Sequence, residues 1–234
     1  MIVSVHIANP GPRGALALLR KPLDPARVPG LLHATTTIRV PLGGGRRPPN
    51  PGRVAMIAAW DDDAAADEFE SVDPAAELLA EGWRARLEPL RVFGAWRAMP
   101  GLPTGVRPHD DDAPVAVLTL GRLRLKGVRR FLRSANPAES EAVADRAILA
   151  SAGLARPPRL VSTFSLWRSA AEMCDYAGRP GGAHSAAVRA DRERPFHHES
   201  AFIRFRPYAS RGSWDGRGDP LAAVKGGGDQ LAAV

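Results

Sequence analysis

The sequence predicts an α+β protein in which two similar halves lie in one chain of 234 residues. Strand patterns and helix patterns follow one another in the same order in each half. The strand patterns GRVAMIAAW and PRLVSTFSLW both end in tryptophan, at Trp60 and Trp167, and a helix pattern follows each of them. A further strand pattern closes each half near Trp96 and Trp214. The two halves therefore match element by element.

The first half opens with the strand pattern IVSVHIA and the short helix pattern RGALALLRKP. The segment LLHATTTIRV is rich in β-branched residues and predicts the second strand, and GRVAMIAAW predicts the third. DDDAAADEFESV predicts a helix whose first residues are Asp61, Asp62 and Asp63. We interpret these carboxylates as acceptors for the free N–H groups of a helix start rather than as metal ligands. LEPLRVFGAW predicts the fourth strand.

The second half repeats this order with VAVLTLGRLRL, KGVRRFLRSANP, RAILASAGL, PRLVSTFSLW, WRSAAEMCDYAG and AFIRFRPYASRGSW. Each half reads β-α-β-β-α-β, which is the ferredoxin-like arrangement with both helices on one face of an antiparallel sheet. The other face of each sheet is apolar and must be covered. We therefore expect two tandem ferredoxin-like repeats that close on each other as a single-chain barrel around an interior chamber. A Trp at each strand-to-helix junction would plug the barrel end and pack under the next helix.

Three segments follow from this division. The first repeat is predicted at residues 1–105 and the second at residues 106–218, with a flexible tail at residues 219–234. The Gly- and Pro-rich stretch at residues 43–52 predicts a loop between the second and third strands.

Composition narrows the classes of protein that the chain can belong to. The net charge is +7, but only three basic residues are lysines and the arginines are spread along the chain, so we do not expect a nucleic-acid binder. Cys174 is the only cysteine, which excludes an internal disulfide and suits a reducing cytoplasm. Neither a signal peptide nor a membrane span is predicted. A cytoplasmic protein is expected, with peripheral contact to an anionic membrane left open.

The usual signatures of cofactor sites and nucleophiles are missing from the sequence. There is no GxGxxG, GxxxxGK[ST], HExxH, CxxC or GxSxG motif. Cys174 falls on the apolar stripe of a predicted helix, where it is expected to fill the core. The remaining candidates are histidines, above all His184, after a Gly/Pro break, and His197 and His198, before the last strand.

The last strand pattern, SAFIRFRP, alternates between two kinds of side chain. We expect one set to pack on helices: Ala201, Ile203 and Phe205. We expect the other set to point into the barrel: Phe202, Arg204 and Arg206. The alternative is that this stretch is an exposed strand end. Buried guanidinium groups need anionic partners, which are either carboxylates of the protein or carboxylates of a ligand.

Two stretches, FSLWRSAAEM and YAGRPGGAHSAAVRADRERPFHHESAFIRFRPYASRGSWDG, resemble the carotenoid-modifying spheroidene monooxygenases. The resemblance is strongest over residues 159–214 and moderate over GRLRLKGVRRFLRSANPAE. It implies a haem-containing oxygenase, with iron as its metal, that inserts oxygen into an acyclic carotenoid, and a fold of the dimeric α+β-barrel type.

The resemblance also implies roles for individual residues. His184 matches the histidine that the family carries on a helix, as a haem ligand or distal residue, and His197 is the next candidate. If the anionic partners of Arg204 and Arg206 belong to a ligand, haem propionates are the candidates. The substrate pocket would include Trp167, Tyr176 and Phe202.

Three hypotheses on function remain open at this point. A haem monooxygenase would take a hydrophobic small-molecule substrate and receive electrons from an external donor such as a ferredoxin. A cofactor-free oxygenase or isomerase could use the same barrel cavity. A non-catalytic module could bind a hydrophobic ligand or a partner without turnover.

Overall fold

The structure, a computed structural model, describes residues 1–42 and 50–225 of the chain. It contains the strands β1 (Ile2–Ala8), β2 (Leu31–Val40), β3 (Val54–Trp60), β4 (Trp83–Gly94), β5 (Val115–Leu123), β6 (Ile148–Arg156), β7 (Leu160–Trp167) and β8 (His197–Gly212). Its helices are α1 (Gly11–Arg20), α2 (Asp63–Val72), α3 (Pro74–Leu79), α4 (Val128–Ala144), α5 (Ala170–Gly178), α6 (Ala183–Glu193) and α7 (Ala222–Lys225), and a 3-10 turn (Leu125–Gly127) precedes α4. Most of the predicted loop at residues 43–52 lies outside the described residues.

The eight strands form one closed antiparallel barrel in the order β1-β3-β2-β6-β7-β5-β8-β4. Strands β4, β1, β3 and β2 of the first half lie side by side, as do β8, β5, β7 and β6 of the second half. We call these two parts of the barrel wall the first sheet and the second sheet. The halves meet along two seams, where β2 pairs with β6 and β4 pairs with β8. Closure leaves no free sheet edge in the barrel, and the expected α+β barrel is confirmed.

The interior of the barrel is filled by one apolar cluster. Alternate side chains point inward along each strand, and those of Val3 and Val5 are fully buried there. Within this cluster, the rings of Trp83, Phe164 and Trp214 contact one another with centroids 5.0 to 6.2 Å apart. In the described structure, apolar side chains therefore occupy the barrel interior where we expected a ligand chamber.

The outer face of the first sheet is covered by α1, α2 and α3. Trp60, at the end of β3, packs on Phe69 of α2 with ring centroids 5.1 Å apart. The indole N–H of Trp60 donates to Ser4 Oγ at 2.9 Å. As predicted, α2 begins at an acidic cap, where the carboxylate of Asp62 accepts the N–H of Ala65.

The outer face of the second sheet is covered by α4, α5 and α6. Trp167 packs on Tyr176 of α5 with ring centroids 5.0 Å apart, and its indole N–H donates to Ser165 Oγ at 2.9 Å. Trp60 and Trp167 thus both pack under the helix that follows them, as expected, but on the outside of the barrel rather than at its end. Neither α4 nor α6 contributes a fully buried residue.

Several boundaries differ from those predicted. The helix α4 continues through Pro137 to Ala144, and α3, which Asp73 caps, was not predicted. The fourth strand begins at Trp83 and ends at Gly94, so Trp96 lies beyond it, buried in the following segment.

The chain from residue 219 to 221 packs on the barrel, although a flexible tail was expected there. Asp219 accepts hydrogen bonds from the indole N–H of Trp83 at 2.8 Å and from Ser210 Oγ at 2.6 Å. Leu221 is buried in the apolar cluster of the barrel. Residues 226–234 of the predicted tail lie outside the described residues. Within the described part of the chain, no helix has the length and apolar character needed to cross a membrane.

Candidate active site

An apolar cavity of ≈120 Å³ lies between the outer face of the second sheet and the layer formed by α4, α5 and α6. It is outside the barrel, on the opposite side of the sheet from the filled interior. Its wall brings together residues that are far apart in the sequence, from Leu42 and Val117 to Phe202. Four of the seven side chains that we expected at a site line it, namely His184, Trp167, Tyr176 and Phe202.

The sheet supplies the floor of the cavity. Val117 and Thr119 of β5 and Thr163 and Ser165 of β7 line it. Because neighbouring strands are in register, with Val117 opposite Ser165 and Thr119 opposite Thr163, these four side chains point to the same face of the sheet. Thr119 is exposed, so the cavity opens to solvent on that side.

The helices supply the roof. Ala138 and Ala142 of α4 and Met173 of α5 contribute small or flexible apolar side chains. The hydroxyl of Tyr176 donates to the carbonyl of Ala138 at 2.9 Å and links α5 to α4 across the cavity. Burial and the carboxylate of Glu141 raise the pKa of Tyr176 to about 12. The phenol therefore stays protonated and can donate this hydrogen bond at any ordinary pH.

His184 lies in the first turn of α6 and is half-buried on the cavity wall. Its ring centroid is 5.6 Å from that of Tyr176. Burial lowers the pKa of His184, and the negative charge of Glu141 opposes this shift only in part. The imidazole is therefore neutral at pH 7, which is the form that binds a metal ion.

The loop between α5 and α6 is held by one carboxylate of α4 and one just after it, which the sequence did not single out. Arg179 donates to Glu141 at 3.0 Å and to Asp145 at 3.1 Å. Glu141 also accepts the N–H of Ala183 at 2.7 Å. Glu141 and Asp145 are four positions apart, a spacing that places side chains on one face of a helix. This spacing did not indicate that Arg179 is their partner.

His197 is not part of the cavity wall. It opens β8, beyond the other end of α6, and a helix rise of 1.5 Å per residue puts the end of α6 about 14 Å from His184. The ring of His197 packs on Phe131 and Phe196, and its Nδ1 lies 3.3 Å from a carboxylate oxygen of Asp191. A Cβ at Gly121 would meet this ring at 2.7 Å. Close packing therefore explains the position of His197.

The two faces of β8 are reversed relative to our expectation. Ala201, Ile203 and Phe205 are buried in the barrel interior, and Phe202, Arg204 and Arg206 face outward. The alternation was correct, but the interior of this barrel is apolar and excludes guanidinium groups.

The two arginines of β8 have different surroundings. Arg206 pairs with Glu88 of the neighbouring strand. Arg204 is half-buried, its Nη1 contacts Cys174 Sγ at 3.4 Å, and its buried Nε has no hydrogen-bond partner. Arg204 pairs in register with Val117 of the cavity floor, so it lies beside the cavity without an acidic partner. Cys174 itself is exposed rather than in the core, since Met173 and Tyr176 occupy the buried face of α5.

His184 is the one histidine on the cavity wall as described, so the wall suits a metal-containing cofactor that needs a single ligand from the protein. Among the described residues, no cluster of three or more His, Cys, Asp and Glu side chains could hold a metal ion. A haem iron has its equatorial ligands from the porphyrin and takes an axial imidazole from the protein. His184 provides such an imidazole on an apolar wall, and Arg204 provides a guanidinium nearby that has no acidic partner among the described residues.

A second cavity, of ≈300 Å³, lies on the outer face of the first half between α2, β4 and β8. Its wall is charged, with three acidic and three basic side chains: Asp63, Asp67, Glu70, Arg84, Arg86 and Arg211. Arg86 bonds to all three carboxylates. Because the charges balance, we interpret this cluster as an ion network that joins α2 to the seam between β4 and β8.

Comparisons with known proteins identify relatives and structures of similar fold. No family model matches the sequence. The chain is 33% identical over 180 residues to a spheroidene monooxygenase of Rubrivivax gelatinosus, and the alignment covers 75% of this chain and 68% of the relative. It is 33% identical over 193 residues to a spheroidene monooxygenase of Rhodobacter capsulatus, with 77% of each chain covered.

Among solved structures, an aldoxime dehydratase aligns over 93% of this chain and 86% of its own, with a TM-score of 0.55 and 8% identity. An aldoxime dehydratase in complex with butyraldoxime aligns over 93% and 84%, with a TM-score of 0.54 and 9% identity. At these identities the likeness shows a shared fold alone.

Proposed function

The chain belongs to the spheroidene monooxygenase family, and on that premise we propose that it inserts oxygen into an acyclic carotenoid with the help of a haem held between the second sheet and α6. The observation that carries this proposal is the position of His184, a neutral imidazole on the wall of an apolar cavity that Trp167, Tyr176 and Phe202 also line.

Bound haem would supply the oxygen chemistry, and the side chains of this chain would hold and shield it. His184 would hold the haem iron, because its imidazole is neutral. Trp167 and Tyr176 would pack against the porphyrin and exclude water. Arg204 suits a propionate better than Arg206 does, since Glu88 already neutralises Arg206.

The size of the cavity requires a movement of the helical layer. Pockets that hold cofactors or small ligands usually measure about 300–1,000 Å³, and this cavity measures ≈120 Å³. Neither α4 nor α6 has a fully buried residue to be exposed when it moves. Displacement of these two helices away from the sheet would therefore open the cavity at a modest cost in buried apolar surface.

Two further parts of the proposal concern the substrate and the electrons. A carotenoid is an apolar molecule, which matches the apolar wall. The cavity wall offers no redox-active side chain besides the aromatic rings, so a separate donor, such as a ferredoxin, would deliver the electrons.

We also propose that the two halves are tandem ferredoxin-like repeats. Their strands follow the same order, with the fourth, first, third and second strand of each half side by side. The equivalent roles of Trp60 and Trp167 support the same interpretation.

The test is haem loading of the purified protein, followed by its absorption spectrum and a haem titration. We expect a Soret band in the parent, and at least a tenfold weaker haem affinity or a shifted band in His184→Ala. His197→Ala is the matched control, because this histidine lies away from the cavity, and it should bind haem as the parent does. Absence of a Soret band in the parent overturns the haem proposal, and carotenoid oxidation by that haem-free protein would identify a cofactor-free oxygenase.

A further inference from the structure

We propose that the exposed face at the beginning of α4 docks on a membrane surface that contains anionic lipid. This α4 outer face consists of five residues: Leu125, Lys126, Arg129, Leu132 and Arg133. They lie on the 3-10 turn and the first two turns of α4, and all five are exposed.

The charge of this part of the chain is entirely positive. The stretch from residue 122 to residue 133 contains six basic residues and no acidic one. Within the described part of the chain, Lys126, Arg129 and Arg133 have no hydrogen bond or ion pair. Their cations are therefore available to an external anion.

The other three basic residues of the stretch are already engaged. Arg122 lies 3.5 Å from a carboxylate oxygen of Glu199. Arg124 donates to the carbonyl of His197, and Arg130 donates to the carbonyl of Arg194. Because two of these acceptors are neutral carbonyls, Arg124 and Arg130 still add positive charge to the surface.

Stability of the helix does not explain this placement. The beginning of a helix carries a partial positive charge, which favours acidic residues and disfavours basic ones. The first turn of α4 has no acidic residue, although Lys126, Arg129 and Arg130 lie at or beside it. The basic residues therefore interact unfavourably with the dipole of α4, and we attribute their presence to an anionic partner outside the protein.

Two leucines lie among these cations. Leu125 is 58% exposed and Leu132 is 48% exposed. They are seven positions apart, which puts them on one side of a helix with Arg129 between them. The opposite side of α4 carries Ala138 and Ala142, which face the cavity, so the leucines cannot reach the core.

Exposed leucines flanked by unpaired cations match the boundary between headgroups and acyl chains. An acidic protein surface would pair with the cations but would not account for the two exposed leucines, which a lipid surface does. The same helix roofs the cavity with its other end, so docking would bring membrane-dissolved substrate to the site. Only this last point depends on the proposed function.

The test measures binding to vesicles of phosphatidylcholine alone and of phosphatidylcholine with phosphatidylglycerol, by co-sedimentation, with neither haem nor carotenoid present. We expect binding that requires phosphatidylglycerol. The variant Lys126→Glu/Arg129→Glu/Arg133→Glu should bind at least tenfold more weakly. The matched control, Arg13→Glu/Arg20→Glu/Lys21→Glu, makes the same charge change at three exposed positions at and just after α1 and should retain most of the binding.

A second pair of variants tests the leucines. Leu125→Ser/Leu132→Ser should weaken binding to the same vesicles severalfold, while Leu16→Ser/Leu78→Ser, at two exposed leucines of the first half, should not. All variants should keep the circular dichroism spectrum and urea midpoint of the parent.

Three results overturn the proposal. The first is a parent that does not bind the anionic vesicles, and the second is an equal loss in the two charge variants. The third is full binding by Leu125→Ser/Leu132→Ser, since the two leucines would then make no contact with the membrane. Since the assay contains no haem, its outcome is separate from that of the Soret measurement.

Discussion

The carboxylate of Glu141 in α4 accepts the N–H of Ala183, the first residue of α6, at 2.7 Å. Its other oxygen accepts a hydrogen bond from Arg179 in the loop before α6. His184 is the next residue along the chain. A single carboxylate thus satisfies a free N–H group at the start of α6 and sets the position of the imidazole on the cavity wall.

Replacement of Glu141 by alanine should loosen the start of α6. A hydrogen bond to a charged group contributes about 1.5–3 kcal/mol, and the pair with the half-exposed Arg179 adds little. We expect Glu141→Ala to lower the free energy of unfolding by about 2 kcal/mol in urea titrations. Glu68→Ala, at an exposed position of α2 whose side chain has no hydrogen bond or ion pair in the described structure, should change it by less than about 0.5 kcal/mol. Equal effects would show that Glu141 has no special structural role.

The hydroxyl of Tyr176 connects α5 to α4 by a hydrogen bond. Its removal should weaken the attachment of α4 and leave the aromatic ring in place on the cavity wall. Tyr176→Phe loses the hydrogen bond to Ala138 and keeps the ring contacts with Trp167 and His184. We expect a loss of about 1 kcal/mol in unfolding free energy and faster amide hydrogen exchange in α4. Exchange in α1, in the other half of the chain, serves as the internal reference and should not change. Unaltered exchange in α4 would contradict the role of this hydroxyl.

His6 in β1 should make stability depend on pH. It is 1% exposed, and neither ring nitrogen has a hydrogen-bond partner in the described structure. The pKa of His6 is lowered to about 4, chiefly by burial. The negative charge of Glu70 opposes this shift, and the positive charges of Arg84, Arg86 and Arg211 add to it. Between pH 6.5 and pH 4 the unfolded chain therefore binds more protons at this histidine than the folded chain does.

Stability should consequently fall as the pH falls through this window, by up to about 3 kcal/mol from His6. His6→Leu should flatten the curve of unfolding free energy against pH between 6.5 and 4, and should be at least as stable as the parent at pH 7. His198→Leu, at an exposed position, should keep the pH dependence of the parent. The same slope in parent and His6→Leu would refute the assignment.

The filled interior of the barrel predicts a large cost for shortening its aromatic side chains. Phe164 is fully buried between Trp83 and Trp214, and Phe164→Ala should lower the unfolding free energy by about 3–5 kcal/mol. Phe93→Ala, at a position that is 41% exposed, should cost less than about 1.5 kcal/mol. A small effect at Phe164 would indicate a hollow barrel.

The order of strands and helices was predictable because each element leaves a local pattern. The alternation in IVSVHIA, the β-branched run in LLHATTTIRV and the Asp residues before α2 depend only on neighbouring residues. Six-residue α3 was missed because it is shorter than the window in which helical periodicity can be recognised. Likewise, Trp167, Tyr176, Phe202 and His184 were chosen from a resemblance, and the structure brings these four together on one cavity wall.

The sequence by itself determined the two-part order of elements and the two faces of each strand, since periodicity is a property of consecutive residues. Only the tertiary structure decided which face of β8 points inward, because that depends on how eight strands close and on which side the helices pack. For the same reason, only the tertiary structure shows that the cavity lies beneath α4, α5 and α6 and not inside the barrel, where we expected it. Large aromatic side chains from distant strands pack in the barrel interior, whereas α4 and α6, which have no fully buried residue, leave room on the outside.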